Sequence, residues 1–372
     1  MGQYTKIDDA SSHFQTKLYN SNNGYEVSVV NGRNSELKPD ILWVKNLTQD
    51  AGGNDYDHNL IDSSRGVTKT LWPNSNAAEM TASQSNYDLK SFDTDGFTNQ
   101  APENTNALGG GDRQKVAWQW KVNGGTTSTI TTSGSPTTTV QVNTNAGISI
   151  VTWAGADTSN KAIYHGLGQT PDMIIVRNRT RVEDWSVFHR EMGGPVDRFR
   201  ANHGGLRMNE ADSVNLTGTT LYRASPNYDY FEVGSDYRMN GNYPLVAYVF
   251  ARSQGFSHFG RYKGNGQSAG NGPFVWCGFK PKFVMIKPNS GGTAHWLMYD
   301  SERSPTNVMD DYLAANTNSV QGTSSTQQID FVSNGFKIRG NNVTNFANTN
   351  YIFWAMAEAP FVSGTGVPTT AK

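Results

Sequence analysis

The stretch that decides the fold reads PDMIIVRN at residues 171–178, and the chain contains two counterparts of it. Residues 39–46 read PDILWVKN, and residues 281–287 read PKFVMIK. Each stretch begins with a proline and carries four successive apolar residues before a cation. Proline cannot donate to a sheet ladder and is tolerated at the first position of a strand, and a short unbroken apolar run is typical of a buried strand. The three stretches therefore predict three equivalent buried strands.

Further elements recur in the same order around these strands. The second element reads HNLID at 58–62, WSVFH at 185–189 and WLMYD at 296–300, and a closing strand reads VAWQW at 116–120, VAYVF at 246–250 and IFWAM at 352–356. Between them, a leucine is followed three positions later by Asn74, Asn209 or Asn316. A turn reads FDTDGF at 92–97 and FVSNGF at 331–336, but the second copy lacks it. Several elements that recur in order at domain-sized spacing indicate tandem copies of one domain.

Short apolar runs separated by turns predict an all-β chain, built as three tandem copies of a β-sandwich-like domain with little helix. The 38 Gly and 37 Asn residues supply the turn chemistry. The expected domains are residues 1–122, 123–252 and 253–372, which we call the first, second and third segments. The second opens with a Ser/Thr-rich stretch, 123–147, that forms a linker or an added β-excursion. A turn or two of helix is expected over residues 199–208 and 304–316.

The charge balance excludes several classes of function. The 372 residues include 31 Lys and Arg against 32 Asp and Glu, whereas a nucleic-acid-binding protein normally carries a basic face. No run approaches the ~18 apolar residues of a membrane span, and the polar N-terminal residues lack the apolar core of a signal peptide. The single cysteine, Cys277, rules out an intrachain disulfide. We therefore expect a chain made in the cytoplasm and not inserted in a membrane.

The positions that the copies share carry framework residue types, so we predict no catalytic residue, no metal site and no cofactor. Residues 266–270 read GQSAG and match a nucleophile elbow, but they lie in a glycine-rich loop without the strand and helix that this motif needs. The seven histidines show no metal-ligand spacing. His189 stands where the sister copies have Asp62 and Asp300, which favours a structural hydrogen bond over a catalytic role.

The second copy is rich in arginine beyond residue 176. Its candidate ligand-binding residues are Arg177, Arg179, Arg181 and Arg190. Arginine forks recognise carboxylate and phosphate groups bidentately, as an acidic partner or an anionic sugar would present them. The alternative is a solvated face of mixed charge, because acids are interspersed. Those acids are Glu183, Asp184, Glu191 and Asp197. The first three also leave a carboxylate pair for glycosidic cleavage open.

The chain resembles a repeated domain of virion proteins in tailed bacteriophages, above all marine and cyanobacterial phages. The resemblance rests on IYHGLGQTP at 163–171 with MIIVRN at 173–178, the turn at 92–97, VAWQWK at 116–121 and WAMAEAPFV at 354–362. It covers residues 25–362, although the second copy departs from it by lacking the Gly-Phe turn. Such proteins are described as tail-fibre or undefined structural proteins, and the resemblance implies no catalytic residue.

We therefore expect a non-enzymatic virion protein, made in the host cytoplasm and exposed on the phage particle. The first expectation is a tail-fibre or receptor-binding component that mediates attachment to the host surface. The alternatives are a capsid or tail decoration protein, such as a head fibre, with no receptor, and thirdly a polysaccharide-degrading tailspike. The expected partners are other virion proteins, further copies of this chain and a glycan or envelope component of the host surface, but no nucleic acid.

Overall fold

The structure is a computed structural model, which describes residues 5–22, 25–32, 35–82, 89–99, 113–156, 160–193, 205–213, 222, 225–268, 270–363, 366 and 368. Within these ranges the chain forms 27 strands in antiparallel sheets and one 3-10 helix at Ala10–Ser12, with no α-helix. The same ranges contain no helix that is long and apolar enough to cross a membrane. The prediction of an all-β chain is confirmed.

The described part of the first segment contains nine strands in three sheets. They are β1 (Phe14–Asn20), β2 (Val27–Val30), β3 (Ile41–Asn46), β4 (Asn59–Asp62), β5 (Lys69–Thr70), β6 (Met80–Thr81), β7 (Leu89–Asp93), β8 (Gly96–Asn99) and β9 (Gln114–Trp120). The main sheet has the order β1-β9-β3-β4, a smaller one has the order β2-β8-β7, and β5 pairs with β6. The interior between the main and smaller sheets is apolar, so this segment has the two-layer packing of a sandwich.

Nine strands also lie in the residues of the second segment that the structure describes. They are β10 (Ser128–Ile130), β11 (Thr138–Asn143), β12 (Ile148–Ala154), β13 (Lys161–Tyr164), β14 (Met173–Asn178), β15 (Ser186–His189), β16 (Leu206–Arg207), β17 (Tyr230–Val233) and β18 (Pro244–Phe250). Its main sheet has the order β10-β11-β12-β18-β14-β15-β16, and β13 pairs with β17. Strands β10 and β11 lie in the Ser/Thr-rich stretch, which is therefore an added β-excursion at the edge of the sheet.

The third segment contains the remaining strands. They are β19 (Ser257–Lys263), β20 (Phe274–Trp276), β21 (Phe279–Pro288), β22 (Leu297–Asp300), β23 (Asp311–Ala314), β24 (Gly322–Thr323), β25 (Ile329–Val332), β26 (Gly335–Ile338) and β27 (Asn350–Pro360). The main sheet has the order β19-β27-β21-β22-β23-β24, and the smaller sheet has the order β20-β26-β25.

The recurring sequence elements occupy equivalent places in the three main sheets. In each segment the closing strand lies between an earlier strand and the strand expected to start at a proline, which we call the proline-initiated strand: β9 between β1 and β3, β18 between β12 and β14, and β27 between β19 and β21. The expected place of the proline is wrong, because β3 and β14 begin two residues after their prolines and β21 begins two residues before Pro281. The proline-initiated strand then pairs with the strand of the second element, which is β4, β15 or β22. The division into three tandem domains stays a prediction.

The unbroken apolar runs arise because the proline-initiated strands are covered on both faces. In β14, Ile174 and Val176 pack inside the second segment. Met173 and Ile175 point to the opposite face and join a cluster to which all three segments contribute. A strand buried on both faces has no polar alternation. The pattern therefore reflects the packing of the segments against one another.

The expected helical turn over residues 304–316 is wrong, because β23 lies there. Leu313 pairs with Met298 of β22, so this stretch extends the main sheet. The helix propensity of Leu and Ala is a weak preference, and sheet pairing overrides it. In the other expected helix, residues 205–208 contain β16, and residues 199–204 lie outside the described residues.

Candidate functional site

Arg177, the first candidate ligand-binding residue, is completely buried at the end of β14. Its Nη2 donates to the backbone carbonyl of Asn76 at 2.7 Å and to that of Ala77, both in the first segment. Its Nη1 donates to the carbonyl of Glu183. Burial lowers the pKa of Arg177 to about 10. The guanidinium therefore connects two segments through backbone oxygens.

The other three candidate arginines have partners within the chain. Arg179 donates from Nε and Nη2 to the two carboxylate oxygens of Glu79, at 2.9 and 2.8 Å. Arg190 donates to Asp172 at 3.2 Å, and Arg181 donates to a tyrosine hydroxyl at 3.0 Å. The bidentate recognition of a carboxylate thus occurs, but the carboxylate belongs to the first segment. A role of these arginines toward an external ligand stays a prediction.

The three carboxylates that left glycosidic cleavage open each lie beside a guanidinium. Glu183 is 3.2 Å from Arg181, Asp184 is 3.3 Å from Arg207, and Glu191 is 3.4 Å from Arg261. Across the described ranges no group of three or more His, Cys, Asp or Glu side chains is placed to hold a metal ion. The described residues of the GQSAG loop, 266–268 and 270, lie in neither a strand nor a helix.

A buried ion pair in the first segment reaches the closing strand of the second. Arg65 donates from Nε to Asp62 Oδ2 at 2.5 Å and from Nη2 to the hydroxyl of Tyr248 at 3.0 Å. The same hydroxyl donates to Asp62 Oδ2 at 2.7 Å. Burial alone would lower the pKa of Arg65, but the adjacent Asp62 raises it above its ordinary value. Burial raises the pKa of Tyr248, so the phenol stays a neutral donor between two charges.

The third segment makes the corresponding contact with the first. Arg303 donates from Nε to Asp300 Oδ2 at 2.6 Å, and Trp118 of β9 donates from its indole Nε1 to the same oxygen at 3.2 Å. The partner on the closing strand has changed from a phenol to an indole. Both can donate to the carboxylate, which explains why either aromatic serves.

The second segment makes its contact with the third through a neutral imidazole. His189 donates from Nε2 to the carbonyl of Phe353 at 3.2 Å, while its Nδ1 accepts the backbone N–H of Glu191 at 3.2 Å. Burial lowers the pKa of His189 to about 4. The structural hydrogen bond that the sequence favoured is present. The first segment contacts the second, the second the third and the third the first, so the three contacts close a ring, which we call the joint ring.

The recurring asparagines cap the strands of the second element. Asn74, Asn209 and Asn316 accept through Oδ1 the backbone N–H groups of His58, Trp185 and Trp296, at 2.9, 2.9 and 3.0 Å. The side chains of these capped residues donate to backbone carbonyls of a neighbouring segment. The bonds are His58 to Ala314 at 3.1 Å, Trp185 to Trp72 at 2.9 Å and Trp296 to Arg207 at 2.9 Å. These bonds also follow the joint ring, one across each contact.

Aromatic side chains from the three closing strands meet at the centre of the joint ring. Trp354 of β27 stacks on Trp120 of β9 with ring centroids 5.4 Å apart, and it contacts Phe250 of β18 at 4.6 Å. All three are almost completely buried. Contacts of this kind stabilise beyond the area that they bury. The centre is therefore a core common to the segments.

A pocket of about 470 Å³ opens on the third segment. Its walls include Trp276 at the end of β20, together with His258, Phe361 and the cations Lys6 and Arg252. The Trp276 side chain is 58% exposed, unlike the interior tryptophans of the joint ring. Large exposed aromatic groups beside a concave surface mark a candidate binding site.

A family model described as a domain of unknown function, DUF7483, matches residues 9–360. The chain belongs to this family. The matched range runs through all three segments and therefore includes every contact of the joint ring. A search among curated proteins finds no match.

For this DUF7483 chain, sequence reasoning singled out several residues of the joint ring as recurring framework positions, but it predicted neither their contacts between segments nor the pocket. The recurring Asp, His and Asn positions were visible because they repeat. Trp276 and Arg252 have no such pattern, and Lys6 is distant from both in sequence. The available signal was the alternation in Phe274, Val275 and Trp276, which places two aromatic side chains on the outer face of a strand.

Proposed function

We propose that the protein is a non-enzymatic structural component of a tailed-bacteriophage virion, and specifically a tail-fibre or receptor-binding component that attaches the particle to the host surface. The resemblance over residues 25–362 supports this assignment. The structural observation that carries it is the joint ring, because an attachment component must transmit force without changing shape.

The joint ring is suited to that task. Each contact combines hydrogen bonds with burial, and two of them contain an ion pair whose side chains are fully buried. Breaking a buried pair leaves an uncompensated charge and costs about 3–5 kcal/mol. Interfaces between domains are ordinarily more polar and permit relative motion. Because these segments share an aromatic core and buried pairs, we expect them to move as one rigid body.

The surface chemistry also supports a binding role. The formal charge of −1 provides no strong long-range field, so contacts must depend on shape and local chemistry. We propose that the chain acts as a homo-oligomer among other virion proteins, since repeated weak sites gain avidity from copy number. A glycan or envelope component of the host surface is the proposed target.

The location and copy number of the protein in purified particles test this proposal. Immunogold labelling and quantitative mass spectrometry should place it on the tail, at a small multiple of six copies. Hundreds of copies over the capsid would identify a decoration protein instead. Absence from washed particles would overturn a virion role altogether.

Attachment can be tested with the isolated full chain. Fluorescently labelled protein should bind host cells, and an excess of unlabelled protein should compete. A fall in the viscosity of host polysaccharide on incubation would contradict the non-enzymatic assignment.

A further inference from the structure

The third segment presents an indole to solvent at the edge of its smaller sheet. Among the described strands, β20 pairs with β26 alone, and Val275 points inward to the core. Phe274 and Trp276 alternate with it and point outward, 48% and 58% exposed. Phe361 lies against the same pocket and is also exposed. Together they form an apolar patch beside a concave space, which is unusual for a surface with no partner.

The sheet framework does not require tryptophan at this place. In the first segment, β2 pairs with β8 in the same register, so that Val30 faces Gly96 as Trp276 faces Gly335. The outward residues there are Ser28 and Val30. A valine therefore satisfies the same position of the fold, so the pairing of the strands does not require an indole there.

The indole is held in a fixed orientation by its neighbours. Gly278 has a φ of +80°, and a Cβ at this residue would lie 2.9 Å from the indole Cζ2, so the ring packs over bare backbone. His258 contacts Trp276 edge to face, with ring centroids 5.5 Å apart, and it stacks on Phe353 at 5.6 Å. A ligand would meet a platform that needs little ordering, which favours binding.

The charged side chains that line the pocket, Lys6 and Arg252, are both cationic. Lys6 is exposed, and the Arg252 side chain is about half exposed while one nitrogen donates to Asp172 at 3.3 Å. A guanidinium has five N–H donors, so several remain for another acceptor. None of the described residues that line this pocket is Asp or Glu. The charge of the pocket therefore complements an anion.

We infer that this pocket binds a sugar that carries a carboxylate, with one C–H face of the pyranose on Trp276 and the carboxylate toward Arg252 and Lys6. The inference rests on the proposed function, since it names the class of host-surface ligand. The weakly positive C–H groups of a sugar face complement the negative face of an indole, and arginine is suited to carboxylate. The volume of about 470 Å³ lies in the range of small-ligand sites. A stable protein interface needs about 800 Å² per partner, and this small concave site fits a saccharide better.

Glycan binding by the full chain tests the inference. An array of bacterial surface saccharides that includes uronic and nonulosonic acids beside neutral sugars should retain the protein on the carboxylated members. Calorimetry with the best saccharide and with its methyl ester, which removes the negative charge and adds one methyl group, should show tighter binding of the free acid. Trp276→Ala should weaken binding by about 30-fold, the effect of losing a central aromatic contact. Lys6→Glu should weaken binding of the acid by about fivefold and leave the ester nearly unchanged.

Matched controls separate the site from general effects of substitution. Tyr25 is 67% exposed and does not line the pocket, so Tyr25→Ala should bind as the wild type does. Trp276→Phe retains an aromatic face and should give an intermediate affinity. Retention of no carboxylated saccharide, equal affinity for acid and ester, or unchanged binding by Trp276→Ala would each overturn the inference.

Host cells distinguish this inference from the proposed function. If wild-type protein and Trp276→Ala bind cells equally, the pocket is not the receptor site, while the attachment function stands. If the wild type binds neither saccharides nor cells, both fail.

Discussion

Removing the hydroxyl of Tyr248 tests whether the joint ring holds the first and second segments together. Tyr248→Phe leaves the buried ring in place and deletes one bond given to Asp62, at 2.7 Å, and one accepted from Arg65, at 3.0 Å. Asp62 keeps the Nε of Arg65, and the arginine Nη2 keeps the carbonyl of Leu60 at 3.1 Å. The charged groups therefore remain partly satisfied, and the substitution measures the hydroxyl itself.

The expected loss follows from the charges of the partners. Hydrogen bonds to charged groups contribute about 1.5–3 kcal/mol each, and the residual partners compensate part of two such bonds. We expect the free energy of unfolding to fall by about 2–3 kcal/mol. With an unfolding entropy of ~2.1 cal/mol/K per residue, this corresponds to a drop in Tm of about 3 °C for a chain that unfolds as one unit.

Urea unfolding followed by tryptophan fluorescence, together with calorimetry, measures both quantities. The exposed Tyr25→Phe is the control and should change stability by less than about 0.5 kcal/mol. A double-mutant cycle with Asp62→Asn should give a coupling of at least about 1 kcal/mol. A loss below 0.5 kcal/mol for Tyr248→Phe, or additive effects in the cycle, would refute the assignment of this contact.

Three further substitutions probe the framework. Because burial lowers the pKa of His189 to about 4, the unfolded chain binds one more proton than the folded chain between about pH 6.5 and pH 4, and stability should fall as pH drops through this window. In urea titrations at several pH values, His189→Gln should reduce the slope of the free energy of unfolding against pH by the equivalent of about one proton. Asn209→Ala removes the acceptor of the buried N–H of Trp185, and urea unfolding should show a free energy of unfolding lower by about 1–3 kcal/mol. A loss no larger than that of a surface alanine substitution would contradict the capping role. Gly96→Ala places a Cβ 1.9 Å from a strand carbonyl oxygen at a φ of +106°, whereas the Cβ of Gly66→Ala, at a φ of +96°, meets nothing within 4 Å. Calorimetry should therefore show a much larger fall in Tm for Gly96→Ala than for Gly66→Ala, which adds only backbone strain of about 1–3 kcal/mol. Equal losses would contradict the steric explanation.

The buried strands and the fold class could be predicted because their cause is local. Four apolar residues after a proline leave few alternatives to a covered strand, and the same pattern appears three times. The prediction of a helical turn over residues 304–316 was wrong because the structure there depends on residues that are distant in sequence. Leu313 and its neighbours have reasonable helix propensity, but the edge of the main sheet supplies better hydrogen bonds. Pairing across the sheet is decided by distant residues, which a local pattern does not contain.

The partners of the arginines could not be predicted for the same reason. The sequence showed a cluster beginning at Arg177 and interspersed acids, but Glu79, the acid that pairs with Arg179, lies 100 residues earlier. The pocket is a sharper case, since Lys6 and Trp276 become neighbours only through folding. Repetition helped at one strand end, where the polar residue retained in the copies indicated a structural hydrogen bond for His189. The partner of that bond, a carbonyl of the third segment, was not predictable in this way.

Because the joint ring is closed, the association of the three segments does not depend on an unbroken backbone between them. The third segment contacts the first as well as the second, so each segment is held by contacts with both of the others. Residues 123–129, which connect the first segment to the second, are exposed and accessible to a protease. A cut there would leave both fragments in place, migrating as one species in a native gel and as two in denaturant. The non-covalent contacts of the joint ring, and not the backbone at the cut, would hold the two fragments together.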